Sequence, residues 1–262
     1  MKYFEDIQME NLPGKHLDPD TVFHFSCHPK IGCFNRCCRN LNLFLHPYDV
    51  LRLRKALGIP SDDFLEGYVD VVLRDETYFP DVLLKMADEK EKPCVFLSPS
   101  GCTVYAHRPH TCRLYPLEQG RFFDATTGET RLVHFLRPFE FCLGPLEKAS
   151  WTPKTWSEDQ KADLYNEMTI LWSDLKRLFR ENPWGEAGLS SPKGKMAFMA
   201  VYNIDRFREF VFGSSFLKRY LIAPAVVKQI QKEDIELLKF GFDWVKYLVW
   251  GIPGPHFKTG SG

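Results

Sequence analysis

The stretch CHPKIGCFNRCC, residues 27–38, carries Cys27, Cys33, Cys37 and Cys38, the last two adjacent. Pro29 and Gly32 allow the tight backbone turns of a loop, and a loop aims neighbouring sulfurs at one point better than regular structure does. Cys94 and Cys102 flank a second pair of turn residues, Pro99 and Gly101; Cys112 follows, and Cys142 stands alone in EFCLGP. All eight cysteines fall between positions 27 and 142, and residues 143–262 contain none. The chain therefore reads as a cysteine-bearing domain, residues 1–148, followed by a cysteine-free helical region, residues 149–262. The change lies near GPLEKASWTPKTW, where Gly, Pro, Ser and Thr punctuate the sequence.

With 262 residues, 44% hydrophobic and 26% charged, the chain can bury one large core or two small ones, and it needs no disulfides to fold. Basic and acidic residues number 34 each, so no global field draws nucleic acid or an anionic membrane, and neither is an expected partner. MKYFEDIQMENLPGK at the start lacks the apolar run of a secretory signal. FGFDWVKYLVWGIPG is broken by Asp243, Lys246 and Pro253 and is too short to span a bilayer. A soluble, cytoplasmic protein is expected. In that compartment thiols stay reduced, so eight cysteines read as ligands or reactive groups rather than as a disulfide framework.

The element pattern predicts an α+β chain: a small mixed domain with metal-binding loops, then a mainly helical region. TVFHFSC, VDVVLR, FPDVLLKMA and PCVFLS read as strands, and RFFDATTGETRLVHFL as a hairpin turning at residues 125–130. LNLFLHPYDVLRLRKALGIP contains a helix with Val50, Leu53 and Leu57 on one face, Pro47 near its start and Gly58 at its end. Ser61 is the expected cap of a second helix, DDFLEGYV. In the second half, Leu164, Met168, Leu171, Leu175 and Leu178 mark one amphipathic helix from Ser157. GKMAFMAVYNIDRFREFVF and AVVKQIQKEDIELLKFGFDWVKYLVW mark two more. Their stripes read as core, and the aromatic residues Trp172, Phe198, Phe207, Phe210, Trp244 and Trp250 are read the same way, with a protein interface as the alternative.

Thiolate sulfur selects zinc, iron–sulfur clusters or cuprous copper over magnesium or calcium. The spacing matches neither paired zinc-finger knuckles nor the C-x2-C-x2-C-x3-C run of bacterial ferredoxins. Cys33 and Cys37 have the C-x3-C opening of radical enzymes that use S-adenosylmethionine, but the third cysteine, Cys38, is adjacent instead of two residues further on. Neighbouring side chains of an extended chain point to opposite sides, so Cys37 and Cys38 either serve two centres or only one of them is a ligand. Eight thiolates exceed what one tetrahedral site uses, which leaves two centres or one cluster with spare thiols. Four thiolates around zinc or a four-iron cluster carry a net charge near about −2 that positive groups must offset. Arg36, Arg39, Arg108 and Arg113 are placed for this, and Arg39, Arg108 and Arg113 are the candidates to hold the cofactor. His24, His28, His46, His107 and His110 read as hydrogen-bonding supports, because the cysteines already supply enough donors. Tyr105 and Tyr115 read as packing beside the second cysteine group. The sequence holds no Gly-rich phosphate loop, no G-x-S-x-G elbow and no H-E-x-x-H, and no catalytic residue is assigned.

CHPKIGCFNRCCRNLNLFLHPYDV followed by CVFLSPSGCTVYAHRPHTCRLYPL resembles the YkgJ-type cysteine-cluster family, described as a zinc- or iron-chelating domain. The order Cys94, Gly101, Cys102, Tyr105, Arg108, Pro109, Cys112, Arg113, Pro116 carries most of the likeness. The first stretch departs from it, with C-x5-C-x3-CC where shorter members have C-x2-C-x2-CC. The resemblance covers about residues 23–145 and implies metal chelation, with Cys27, Cys33, Cys37, Cys38, Cys94, Cys102, Cys112 and Cys142 as candidate ligands. Two readings follow. Iron, most readily an iron–sulfur cluster, would suit a redox or protein-modifying role with the helical region as substrate surface. Zinc in closed sites would suit a structural module whose helical region binds a protein partner. The unequal spacing and the Cys37–Cys38 pair lean toward iron.

Overall fold

Alternating apolar residues in LEQGRFFD and ETRLVHFL form the longest strands of the chain, Leu117–Asp124 and Glu129–Leu136. In the computed structural model, which describes residues 2–4, 15–74, 77–124, 127 and 129–257, they pair antiparallel from Leu117 opposite Leu136 to Asp124 opposite Glu129. Of the expected turn, residues 125, 126 and 128 lie outside the described residues. Lys2–Phe4 joins one edge in parallel and Lys15–Leu17 the other in antiparallel, completing a four-stranded sheet. Leu17 and Leu117, together with Phe23, Phe25 and Trp156, make a buried cluster against which Tyr115, Leu136, Cys142 and Trp151 pack. Of the cysteines, Cys142 is the one placed against this cluster.

Mixed short sheets and helices make the fold α+β. Its contacts divide the chain into two compact units, residues 1–41 with 86–167 and residues 42–85 with 168–262, rather than into two sequence halves. The boundary expected at 148/149 falls inside the first unit. The reason is aromatic: Trp151 Nε1 donates to Phe25 O and Trp156 Nε1 to Leu114 O, each at 2.9 Å, which ties the segment after Cys142 to the cysteine-bearing core. All eight cysteines lie in this first unit.

The second unit begins with the helix Pro47–Leu57, which has Pro47 at its start and Gly58 in the left-handed region (φ 67°) at its end. Arg54 reaches Asp234 at 2.9 Å and Asp205 at 3.4 Å, and the buried Tyr202 hydroxyl donates to Leu45 O at 3.4 Å. These bonds explain why residues 42–85 fold with the C-terminal helices. A three-stranded antiparallel sheet, Phe44–Leu45, Asp81–Leu84 and Val69–Val72, completes the segment. Ser61 does not cap the next helix, Ser61–Gly67: it is the first helical residue, its hydroxyl is buried without a partner, and its N–H donates to Asp205 Oδ2 at 2.7 Å.

Each long helix expected in the second half is broken once. Pro153–Asp159 and Asp163–Leu178 are separated by Lys161 at φ 52°. Asn203 leaves the helical region and caps Ile204–Gly213 through Arg206 N, which ends Pro192–Tyr202. Glu233, extended, separates Pro224–Lys232 from Asp234–Trp250. The buried face of Asp163–Leu178 also differs from the expected stripe. Met168, Trp172 and Leu175 are buried, while Leu164, Leu171 and Leu178 are only partly so, because the large Trp172 ring takes the inward position. Trp172, Phe207 and Trp244 are core, as read from their pattern. No helix among the described residues is long and apolar enough to cross a membrane.

Helices Pro192–Tyr202 and Asp234–Trp250 approach closely at Gly241, where a Cβ would stand 2.7 Å from Ala200 O and 3.2 Å from Phe207 Cε1. Gly241→Ala is therefore expected to destabilise the second unit by ~1–3 kcal/mol, the range of an overpacked core. Urea unfolding checks this, and an unchanged midpoint would mean that the helices part at no cost.

Candidate metal centre

Residues 28–38 run through successive tight turns: Ile31 N bonds His28 O, Phe34 N bonds Ile31 O, Arg36 N bonds Cys33 O and Cys38 N bonds Asn35 O, at 2.9–3.2 Å. Asn35, at φ 63°, makes the left-handed step into the short 3-10 turn Arg36–Cys38. The loop is stapled to the segment around Cys142. Ser26 N donates to Gly144 O at 3.1 Å, and Leu143 N donates to Cys33 Sγ at 3.2 Å. Gly144 is required there, because a Cβ would fall 2.4 Å from Phe25 Cε2 and 3.0 Å from Ser26 O.

A second staple holds Cys94. Its N–H donates to Cys38 O at 2.8 Å, and its carbonyl accepts from Leu97 N at 2.8 Å. Leu97 then pairs with Cys102 across the two-stranded ribbon Leu97–Ser98 and Gly101–Cys102. Cys112 sits in the short helix His110–Leu114, whose Arg113 reaches back to Ala106 O at 2.7 Å.

The thiols sort into two sets. Cys27 is pushed up to about 11 by partial burial of its sulfur and by the fields of Cys37, Cys33 and Cys142. Tyr115 belongs with this set: its hydroxyl accepts from Phe139 N at 3.0 Å and shares a hydrogen bond with Cys142, and burial followed by that bond raises it. Cys38 is raised by its hydrogen bond to Cys37, then by burial and by Cys37, Cys112 and Cys94. Cys94 is raised by burial and by Cys102, and Cys102 by burial. The sets meet at Cys37 and Cys38, whose side chains are hydrogen-bonded to each other; Cys37 is lowered to about 7, chiefly by that bond, and Cys38 is raised by it.

Positive charge is distributed unevenly. Arg113 and Arg108 are buried, at 4% and 8% exposure, and they donate to neutral oxygens. Arg113 donates to Gln160 O at 2.6 Å, Ala106 O at 2.7 Å and the Tyr165 hydroxyl at 3.3 Å, and it stands over the Tyr165 ring. Its Nε is buried without a hydrogen-bond partner. Arg108 donates to Tyr105 O and Gln160 Oε1 and lies over the Tyr105 ring; burial lowers it, while Cys112 and Cys102 act in the opposite sense. Among the described residues neither pairs with a carboxylate. Arg39 is different: it bonds Asn35 O at 2.7 Å and Glu91 at 3.2 Å, and Arg36 lies over the Phe141 ring.

The histidines take supporting positions. His110 is buried and Nε2 faces Asn166 Oδ1 at 2.8 Å; because Asn166 Nδ2 donates to Ser157 Oγ, that oxygen is the acceptor and Nε2 carries the proton. His28 lies 3.6 Å from Glu147, His24 bonds Ser150, and His46 is in the second unit, in the capping box of helix Pro47–Leu57. Gln160, Tyr165 and Asn166, which hold the two arginines and His110, had no signal in the cysteine spacing; they lie about fifty residues downstream and reach the site only through the fold.

Among the described residues no group of three or more His, Cys, Asp or Glu side chains stands as a ready-made ligand set. The thiols are gathered, and ligation requires their side chains to turn inward. The donor chemistry nonetheless fits an anionic metal–thiolate group, since two buried guanidiniums, one with an unmet donor, border the second set.

Residues 26–130 match the CxxCxxCC family. Its model is described as a "putative zinc- or iron-chelating domain". Cys27 through Cys112 fall inside the match, and Cys142, which the fold brings to Cys27 and Cys33, falls outside it. No curated protein and no solved structure matches the chain.

Proposed function

We propose that this chain holds zinc or iron through the thiolates of Cys27, Cys33, Cys37, Cys38, Cys94, Cys102, Cys112 and Cys142. The observation that carries the reading is the burial of Arg108 and Arg113 against neutral oxygens beside Cys102 and Cys112. A buried cation without a counter-anion is costly, and a metal–thiolate group with a net negative charge supplies that anion. Arg108 and Arg113 then hold the bound group electrostatically, whereas Arg39 offsets charge only in part because Glu91 shares it. Bound metal supplies redox chemistry if it is an iron–sulfur cluster, or rigid closure of the loops if it is zinc.

With iron, the chain is a redox or protein-modifying module; with zinc, it is a scaffold for a protein partner. Elemental analysis and a visible spectrum of protein purified without oxygen separate these. Stoichiometric metal is expected. Iron with acid-labile sulfide and a brown colour selects the first role, and colourless protein with zinc selects the second. Protein free of either metal after purification, and unable to take it up when reduced, would overturn the reading.

A further inference from the structure

Independently of the metal site, we infer that the surface around Leu221 docks on an anionic lipid bilayer, with Leu221 entering the acyl boundary and Lys218, Arg219, Lys228 and Lys232 meeting the headgroups.

Charge in this part of the second unit is of one sign. Residues 210–232 carry those four basic side chains and no Asp or Glu. All four are exposed, and among the described residues none pairs with a carboxylate. The carboxylates on either side are engaged elsewhere: Glu209 with Arg206 at 3.1 Å, Asp234 with Arg208 at 2.7 Å and Arg54 at 2.9 Å, and Glu236 with Lys239 at 3.5 Å. Exposed Glu233 is the one acidic group at the end of the stretch. A net charge of zero removes the global field of the chain and leaves this local one.

An apolar tip stands among these cations. The helices Phe216–Arg219 and Pro224–Lys232 are joined by residues 220–223, and Leu221 in that joint is 97% exposed. A tight turn holds it out. Ile222 N donates to Tyr220 O at 2.8 Å, and the Tyr220 ring is fixed against Phe216 and Phe257, with centroids 4.7 and 5.4 Å away. Ala223, Pro224 and Ala225 are exposed as well, while buried Ile230 pins the helix that follows. Gly254 N donates to Phe257 O at 2.8 Å, so the same rings hold a second apolar loop with Ile252, Pro253 and Pro255 exposed. An apolar side chain that a turn keeps in water gains nothing from the fold and gains on entering hydrocarbon.

A bilayer meets both features. Its anionic headgroups match the unpaired cations, and the acyl boundary beneath them takes Leu221. Single-stranded nucleic acid would match the charge but needs exposed rings for its bases, and Tyr220 is half-buried in the aromatic cluster.

The test sediments the full chain, as purified, with vesicles of phosphatidylcholine alone or of phosphatidylcholine mixed with phosphatidylserine. Binding to the mixed vesicles is expected to be at least about tenfold tighter and to weaken as salt is raised. Lys218→Gln combined with Lys228→Gln should weaken it about 25-fold, at about fivefold per cation. Leu221→Ser should weaken it at least about tenfold at low and at high salt. Because Leu221 is exposed, that variant should keep the circular dichroism spectrum and the metal content of the parent. Equal binding to the two kinds of vesicle, or none to either at low salt, would overturn the inference. So would parent-like binding by Leu221→Ser, which would leave only adsorption of the cations. Self-association of the free chain that Leu221→Ser abolishes, with no vesicle binding, would also overturn it and give the surface to a second copy. None of these results bears on the thiolate reading.

Discussion

Cys37→Ser combined with Cys38→Ser is expected to abolish stoichiometric metal binding and to lower the melting temperature of the metal-loaded chain by roughly 10 °C or more. The magnitude follows from linkage. Structural thiolate zinc in small peptides contributes about 10–16 kcal/mol of folding free energy at neutral pH, and each kcal/mol is about 2–4 °C in a chain of this size class. Serine keeps the size of cysteine but is a poor ligand for a soft metal, and the two positions supply one sulfur to each set. Both cysteines are only partly buried, so the apo protein loses little packing. The effect should therefore be large in loaded protein and ~1 kcal/mol or less after exhaustive chelation. Calorimetry with and without chelator, paired with metal analysis, checks this. Full metal retention in the double variant would remove Cys37 and Cys38 from the ligand set.

How legible this was differs between residues. The cysteine loops, the hairpin Leu117–Asp124 with Glu129–Leu136, and helix Pro47–Leu57 are written locally, in turn residues, period-two alternation and a Pro-to-Gly frame, and all are present. The thiolate-binding chemistry was likewise readable from residue type, and the match over residues 26–130 agrees with it. What local sequence does not carry is where segments close on one another. Trp151 and Trp156 lie beyond the compositional break yet hydrogen-bond to Phe25 and Leu114, so the break is not a boundary of packing. The helix interruptions at Lys161, Asn203 and Glu233 are also invisible to periodicity, because each keeps the apolar spacing nearly in phase while a single residue changes its backbone angles. At the site, Gln160 enters through its carbonyl as well as its side chain, and a carbonyl has no signature in sequence.

Acid is expected to destabilise the first unit progressively between about pH 6.5 and pH 4, and His134 should account for a measurable share. His110 and His134 are both pushed from 6.5 down to about 4, chiefly by burial; the bond to Asn166 opposes this at His110, and His16 adds to it at His134. Above pH 6.5 both histidines are neutral in the folded and unfolded chain, and their stabilising contribution is fully present. As pH falls toward 4 the unfolded chain takes up protons that the folded chain refuses, so stability falls, and below about 4 the loss levels off. Each histidine contributes up to about 3 kcal/mol of this loss. Metal thiolates also protonate in acid, so the informative comparison is between two chains with the same cysteines. In His134→Gln the side chain stays neutral at every pH and can still meet the Gln119 amide, which lies 3.2 Å from His134 Nε2. Urea midpoints for the parent and the variant should lie close at pH 7 and diverge by pH 4.5, with the variant the more resistant. Parallel curves would show that the His134 imidazole admits its proton without cost, and that the sheet opens around it before the chain unfolds.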